Sequence, residues 1–411
     1  MTYQQTIDYL YALTPAFERI GAAAYKPGLG NMLRLMDALG NPHKTLRCLH
    51  VAGTNGKGST AHMLAAILQA QGCKTGLYTS PHLVDFAERI RVDGKEVEHD
   101  YIVDFVERYD DLIHAVRPSF FELATAMAFC YFRDMQTDIC VIEVGLGGRL
   151  DSTNVITPLL SVITNIGFDH TAQLGNTLES IAREKAGIIK QGIPVVIGEA
   201  DRHTRPVFEA VASERHSLIT FAQDIDYDVI PPCQLTGDYQ RKNLRTVLCA
   251  VDALRREGID IEPRAVAEGL LHVCDMTGLR GRWQILGTGP LIICDTGHNA
   301  HGLKYVARQL GAMPQNKHIV FGMVADKDYH EVLRLMPPDA RYYFTQPDSP
   351  RALKAAKLTA EAQSVGLKGQ CYEKLADALT DALNNADKRD VVFVGGSNYL
   401  VGEFLAINKL S

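Results

Sequence analysis

The stretch Thr45–Gln71, TLRCLHVAGTNGKGSTAHMLAAILQAQ, decides how the chain is read. Its opening, Thr45–Val51, is an apolar run suited to a buried strand. Its end, Ala61–Gln71, places Met63, Leu64, Ile67 and Leu68 at helical spacing on one face. Between them lies Ala52–Thr60, AGTNGKGST. Glycines let backbone N–H groups approach an anion without a Cβ in the way. The helix that follows offers unsatisfied N–H groups and a positive dipole end to the same anion. Thr54, Asn55, Gly56, Lys57, Gly58 and Ser59 are therefore candidate nucleotide-binding residues, with Lys57 as a mobile positive charge for the β- and γ-phosphates. The pattern departs from the ordinary phosphate loop. Gly58 separates Lys57 from the first hydroxyl, Ser59, so a metal ligand has to come from elsewhere.

Working outward, Thr75–Tyr78, Asp138–Val144, Leu159–Thr164 and Pro194–Ile197 are further apolar runs separated by amphipathic stretches. Strands alternating with helices predict an α/β fold with a mostly parallel sheet, its ligand beyond the carboxyl ends of the strands. A second, smaller Rossmann-like α/β domain is expected over 291–411. Its candidate strands are Leu291–Cys294, His318–Phe321, Tyr342–Phe344 and Val391–Val394. The turn-rich Ile285–Pro290, ILGTGP, suggests a linker at about 286–290, which leaves 1–286 as the ATP-binding domain.

The chain has 411 residues, 46% apolar and 22% charged, an ordinary globular balance that excludes global disorder. Its net charge, 42 − 48 = −6, offers no electrostatic case for nucleic acid or an anionic membrane. No apolar run of membrane-spanning length exists, and MTYQQTIDYLYAL lacks the pattern of a signal peptide. Nine scattered cysteines form no CxxC pair and read as buried thiols of a reducing cytoplasm. The expectation is a cytoplasmic monomer acting on small molecules.

Several residues stand out locally. Glu143 ends an apolar strand, where a carboxylate is costly unless it meets a cation; a partly exposed strand end is the plainer alternative. Ser80, in TSPHL, places a hydroxyl at another strand end. Ser119-Phe120-Phe121-Glu122 precedes an apolar helix, Leu123–Phe132. Its rings could stack on a flat heterocycle and Glu122 could accept N–H groups, or the segment is simply a helix start with core phenylalanines. Asn243 is equally readable as a helix cap. Trp283, the one tryptophan, reads as packing.

The GTNGKGS form with TSPHL after it resembles the folylpolyglutamate synthase/dihydrofolate synthase family of the Mur-ligase superfamily. So do EVGLGGRLDSTN (143–154), FDHTAQLG (168–175), REKAGIIK (183–190), GLRGRWQ (278–284), DTGHNAHG (295–302) and GMVADKD (322–328), in the family's order. The resemblance implies Mg²⁺, two ions, held by Ser80, Glu143, His170 and Lys185. An imidazole is a departure from the oxygen donors magnesium prefers. It also implies that Lys185 carries a CO₂-derived carbamate, which requires a neutral amine and so a buried one. The Lys26-Pro27-Gly28 loop, Ser119, Phe120, Phe121, Glu122 and Leu150 would border a pterin. Asn243 would contact adenine and Arg282 the nucleotide phosphates. Asp295 and His298 would reach nucleotide and reacting groups, and Ser397 the incoming amino acid. Ala300 stands where the family more usually has proline.

The implied activity is an ATP-dependent carboxylate–amine ligation, adding L-glutamate to tetrahydrofolate glutamates and also to dihydropteroate through an acyl phosphate. Lys57, Lys185, Asp295 and His298 would be its catalytic residues. Two other readings stay open at this point. One is a ligase adding an amino acid to a UDP-linked muramoyl precursor. The other is a nucleotide switch that hydrolyses ATP to move a partner.

Overall fold

The computed structural model describes residues 1–16, 19, 21 and 28–409. The chain divides into two compact units. The first comprises Met1–Gln234 and Gln240–Leu279; the second comprises Leu235–Tyr239 and the chain from Arg280 onward.

The first unit is built on eight strands: β1 (Cys48–Ala52), β2 (Thr75–Tyr78), β3 (Ile90–Val92), β4 (Lys95–Glu96), β5 (Ile139–Glu143), β6 (Leu160–Ile163), β7 (Val195–Ile197) and β8 (Ile219–Phe221). Their order is β4-β3-β2-β5-β1-β6-β7-β8. From β2 to β8 neighbours run parallel, as expected of apolar runs buried on both faces. β3 and β4 are antiparallel additions at one edge, which the sequence reading lacked. Register matters most for the site. Val51 pairs with Glu143, Ala52 with Ile163, and Tyr78 with Ile142. The residues just beyond these pairs therefore leave the sheet along one edge.

β1 begins three residues later than read, because Pro42–Lys44 forms a 3₁₀ turn closed by the Thr45 N–H on the Pro42 carbonyl at 3.2 Å. The helix after the loop spans Lys57–Ala70 and is buried all along Gly58–Leu68, not on one face. It packs on β1, β2 and β5 and also under the helices Gln240–Arg256, Pro263–Leu271 and Val273–Thr277. Gly269 permits that close helix contact, since a Cβ there would fall 2.6 Å from the Ile67 Cα.

The second unit holds six strands: β9 (Gln284–Thr288), β10 (Leu291–Asp295), β11 (Lys317–Phe321), β12 (Arg341–Phe344), β13 (Lys368–Cys371) and β14 (Val391–Gly395). The order is β13-β12-β11-β14-β10-β9, parallel except for β9. Its core includes Trp283, Ile293, Phe321, Tyr342, Phe344 and Phe393. Asp295 and Phe321 both pair with Gly395, so the ends of β10, β11 and β14 are level.

The 286–290 segment is not the boundary between the compact units. Thr288 pairs with Leu291, so the segment is the turn of the β9–β10 hairpin, and the units divide between Leu279 and Arg280. Glycine and proline mark a turn; they do not distinguish a hairpin from a linker. Cys48, Cys130, Cys140, Cys249 and Cys294 are buried thiols as read, whereas Cys73, Cys233 and Cys274 are half-buried and Cys371 is exposed. Among the described residues no helix is long and apolar enough to cross a membrane.

Candidate active site

The phosphate loop of the first unit is held from several sides. Gly53, at φ +145°, lies so close to the β6 end that a Cβ would fall 1.8 Å from the Thr164 Oγ1. Gly56 adopts φ +83° and opens the helix Lys57–Ala70; a Cβ there would meet the Asn243 Oδ1 at 2.3 Å. The segment after β6 clamps the loop. Thr54 Oγ1 donates to the Gly167 carbonyl at 3.1 Å and accepts from the Gly167 N–H at 3.0 Å. The Asn55 N–H donates to Asn165 Oδ1 at 3.0 Å, and Thr164 Oγ1 donates to the Asn55 carbonyl at 2.6 Å. Lys57 Nζ reaches the Thr54 carbonyl at 3.3 Å. Ser59 is buried and accepts from Gln240 Nε2 at 3.1 Å.

Glu143 ends β5 with only 4% of its surface exposed, and its Oε2 accepts the Ser80 N–H at 3.1 Å. β2 and β5 are neighbours, which is why these two strand ends meet. Lys185 comes from the helix Leu178–Ala186. It is also 4% exposed, and its Nζ donates to the Gly53 carbonyl at 2.8 Å. Burial, with the positive charge of Lys57 adding to it, pushes Lys185 down to about 7. Asp169 and Asp151 pull the other way. His170 is left-handed, at φ 50°, and its Nε2 lies 3.8 Å from the Asp169 Oδ1.

Among the described residues no three His, Cys, Asp or Glu side chains make a metal cage by themselves. The donor chemistry beside the loop nonetheless suits magnesium: a buried carboxylate and a serine hydroxyl are hard oxygen ligands, and this ion keeps waters and substrate phosphates as the rest.

In the second unit Asp295 ends β10 and is buried. Its Oδ2 accepts from the Tyr239 hydroxyl at 2.6 Å and the Trp283 N–H at 2.8 Å; its Oδ1 accepts the Gly297 N–H at 2.7 Å. Burial holds this carboxyl above the usual range, against those hydrogen bonds and the nearby Arg282. Arg282 Nη1 bonds the Thr296 hydroxyl and, at 3.2 Å, the Gly281 carbonyl. His298 Nδ1 lies 3.0 Å from the Thr296 carbonyl oxygen. Asn299 caps the helix Ala300–Gly311 through the Gly302 N–H at 2.8 Å. Ala300 is thus the first helical residue, a position that suits proline as well.

Residues 51–253 match the Mur ligase middle domain, and residues 281–398 match the glutamate ligase domain of Mur ligases. A dihydrofolate synthase/folylpolyglutamate synthase of Bacillus subtilis is 34% identical over 410 residues, covering 92% of this chain and 94% of that one. The chain belongs to the folylpolyglutamate synthase/dihydrofolate synthase family of Mur ligases. It is an ATP-dependent ligase of the acid–amino-acid type. Its fold is similar to that of Escherichia coli FolC in complex with DHPP and ADP, with a TM-score of 0.86 at 30% identity over 100% of this chain and 98% of that one. A bifunctional folylpolyglutamate synthase/dihydrofolate synthase with Mn, AMPPNP and L-glutamate bound gives 0.83 at 29% identity, with the same coverage. These relatives carry folate names, which favours the folate reading over the muramoyl and switch alternatives.

With the family established, the remaining expected residues take their places. Lys26 and Pro27 lie outside the described residues; Gly28 bends at φ +112°. Ser119 and Glu122 form a capping box. Glu122 Oε2 accepts the Ser119 N–H at 2.6 Å, and Ser119 Oγ accepts the Glu122 N–H at 3.2 Å. That contact engages one oxygen, Oε2, of the carboxylate expected to meet a pterin. Phe120 is buried, stacked on Tyr11 at 4.7 Å, which is the plainer helix-start reading. Phe121 is half-buried against Gly145, where a Cβ would fall 2.5 Å from its Cζ. Leu150 is half-buried in the loop after β5. Asn243 is not a cap: it lies inside the helix Gln240–Arg256, and its Nδ2 donates to Gln240 Oε1 at 2.8 Å. Ser397, expected at the amino acid, is 1% exposed and accepts the Leu400 N–H at 3.2 Å, as a cap of the helix Asn398–Lys409.

Sequence reasoning missed Gln240, Tyr239 and the clamp from Thr164 to Gly167. It also passed over Asp151, which accepts the Leu146 N–H at 2.8 Å and the Thr153 N–H at 3.0 Å and so shapes the loop after β5. The only available signal was a polar residue directly after an apolar strand, as in Ile163-Thr164-Asn165.

Proposed function

We propose that this ligase adds L-glutamate to folates, extending tetrahydrofolate glutamates through the γ-carboxyl, and that it also joins glutamate to dihydropteroate. The observation that carries this reading is the end-to-end likeness to proteins bearing both activities in their names. We further place it in the cytoplasm, in keeping with its free thiols, and as a monomer.

The chemistry follows from a poor leaving group. A carboxylate does not expel oxide when an amine attacks, so it has first to be activated. The γ-phosphoryl group of ATP passes to a carboxylate oxygen: one P–O bond forms, the bond to ADP breaks, and an acyl phosphate results. The neutral amine of glutamate then adds to the acyl carbon and loses a proton. The C–O bond to phosphate breaks, leaving amide and inorganic phosphate. Little covalent chemistry falls to the protein, so positioning and charge neutralisation dominate. Lys57 and the N–H groups of the loop would hold the transferring phosphate, with Arg282 as a second cation. Asn243 would meet the adenine, and Asp295 with His298 the reacting groups. Ser80, Glu143 and His170 would hold the metal, helped by a carbamate formed on Lys185. Bound magnesium supplies a positive clamp on phosphate oxygens.

The test is product analysis by mass spectrometry after incubation with ATP, Mg²⁺ and L-glutamate. Dihydropteroate and tetrahydrofolate are offered separately, with a UDP-muramoyl acceptor as the control. One added glutamyl residue on each folate substrate is the expected result. Addition to the muramoyl compound, or phosphate release that needs no acceptor, overturns the reading.

A further inference from the structure

Two hydrogen bonds on consecutive residues lead beyond the reaction itself. Tyr239 belongs to the second unit and Gln240 to the first. Within the second unit the Tyr239 hydroxyl donates to Asp295 Oδ2 at 2.6 Å. Within the first, Gln240 Nε2 donates to Ser59 Oγ at 3.1 Å while its Oε1 accepts from Asn243 Nδ2 at 2.8 Å. A single peptide bond therefore joins a side chain anchored at the phosphate loop to one anchored on the Asp295 segment. We propose that Tyr239 and Gln240 are a positioning pair that ties nucleotide loading at the phosphate loop to the placement of the Asp295 segment.

The burial of the partners fixes each anchor within its own unit. Gln240 is 1% exposed, and Ser59 and Asn243 are buried with it. Moving Gln240 strands their polar groups without partners, which is costly in an interior. On the other side Asp295 holds the N–H of Trp283, which follows Arg282, and the N–H of Gly297, which precedes His298. A displacement of the Tyr239 hydroxyl is thus passed to the backbone beside both candidate active-site residues. Neither residue needs to touch substrate for this. The inference rests on the nucleotide part of the reading above and not on the identity of the acceptor acid.

Amide hydrogen exchange on the full chain tests it, with Mg·ADP as the probe and peptides spanning 281–298 as the readout. In the wild type, Mg·ADP is expected to slow exchange of the Trp283 and Gly297 amides about tenfold or more. Tyr239→Phe and Gln240→Met, both near-isosteric, should each cut that protection to about twofold or less while calorimetry still shows ADP binding. In ligase turnover the double variant should be no worse than about twofold below the weaker single variant, as expected of residues acting as one unit. Absence of nucleotide-dependent protection in the wild type overturns the proposal, a result that needs no variant to fold. So does protection undiminished in both variants, or losses that multiply in the double variant. Failure to use folates would leave the exchange and calorimetry results with Mg·ADP unchanged, so the two readings fail separately.

Discussion

The state of Lys185 is the most exposed part of this account and can be tested in depth. Its amine lies 2.8 Å from the Gly53 carbonyl, shut away from water and beside Lys57. Carbamylation consumes the neutral amine and CO₂ and releases a proton. With the side chain at about 7, ~75% of molecules carry a neutral amine at a working pH of about 7.5, against ~0.1% for a lysine at its ordinary 10.5. That is a ~750-fold larger reactive fraction. The carbamate nitrogen keeps one N–H, so the bond to Gly53 need not be lost. The assay is turnover in CO₂-stripped buffer, with and without added bicarbonate, alongside carbon-13 NMR of enzyme incubated with labelled bicarbonate. Lys185→Ala should lose about 10²–10³ in turnover, by analogy with removing one preorganised charge contact, and short carboxylates such as acetate should restore part of it. A Lys185→Ala enzyme as fast as wild type without any rescue agent removes the carbamate from the mechanism. So does a wild type indifferent to CO₂ that shows no labelled carbamate carbon.

The same lysine makes a stability prediction. Its folded value is about 7 against about 10.5 in the unfolded chain, so between those values the unfolded state binds more protons and this residue's contribution rises with pH. In CO₂-stripped buffer, where Lys185 is a free amine, the stability from urea unfolding between pH 7 and 9.5 should rise less steeply with pH for Lys185→Met than for wild type; identical slopes refute it. Gly56→Ala combines a left-handed φ with a 2.3 Å approach to Asn243 Oδ1 and should cost about 1–2 kcal/mol at the loop, read as a raised KM for ATP. Glu143→Gln keeps the size but weakens the cation ligand, so the Mg²⁺ concentration for half-maximal turnover should rise about tenfold or more; an unchanged magnesium titration would argue for a purely structural carboxylate. Ser397→Ala should lower stability by about 1 kcal/mol through the lost cap, and the KM for glutamate should stay within about twofold. A selective rise in that KM would restore Ser397 to the amino-acid site.

Much of the framework could be read from the chain because it is local. β2 spans Thr75–Tyr78 as expected, since four apolar or small residues bounded by turn signals have few other uses. The strand–loop–helix unit at Cys48–Ala70 is legible for the same reason: glycine placement and apolar periodicity are properties of adjacent residues. The capping box at Ser119 and Glu122 was also legible in principle, as an S-x-x-E step before an apolar run, and the aromatic pair between them drew the reading elsewhere. What could not be read is set by distance along the chain. Lys185 looks like a solvated lysine at a helix end, and only its contact with Gly53, 132 residues away, makes it a buried amine. The helix Lys57–Ala70 looks amphipathic because the residues that cover its second face come from Gln240 onward. The 235–239 excursion into the second unit leaves no compositional trace at all.

The buried polar residues around the phosphate loop make sense together once strand register is considered. Glu143, Asp151 and Lys185 are each nearly inaccessible, and isolated ionised groups are unfavourable in such a setting. None is needed to fold a parallel sheet whose strands are otherwise apolar. Burial raises Asp151 and lowers Lys185, so for both the environment disfavours the charged form. A chain selected for stability alone would fill positions 143 and 185 with leucine or valine, whereas Asp151 also holds the loop after β5. Register explains where the exception sits. Val51 opposite Glu143 and Ala52 opposite Ile163 bring the phosphate loop, the acidic strand end and the Thr164–Gly167 clamp out along one edge. On the proposed reading, a multiply charged phosphate arriving there would meet Lys57 and helix N–H groups that are already oriented, and the metal it brings would add a positive charge beside Glu143. The unfavourable burial of the free enzyme is then offset on binding, which is where a ligase needs its interactions to strengthen.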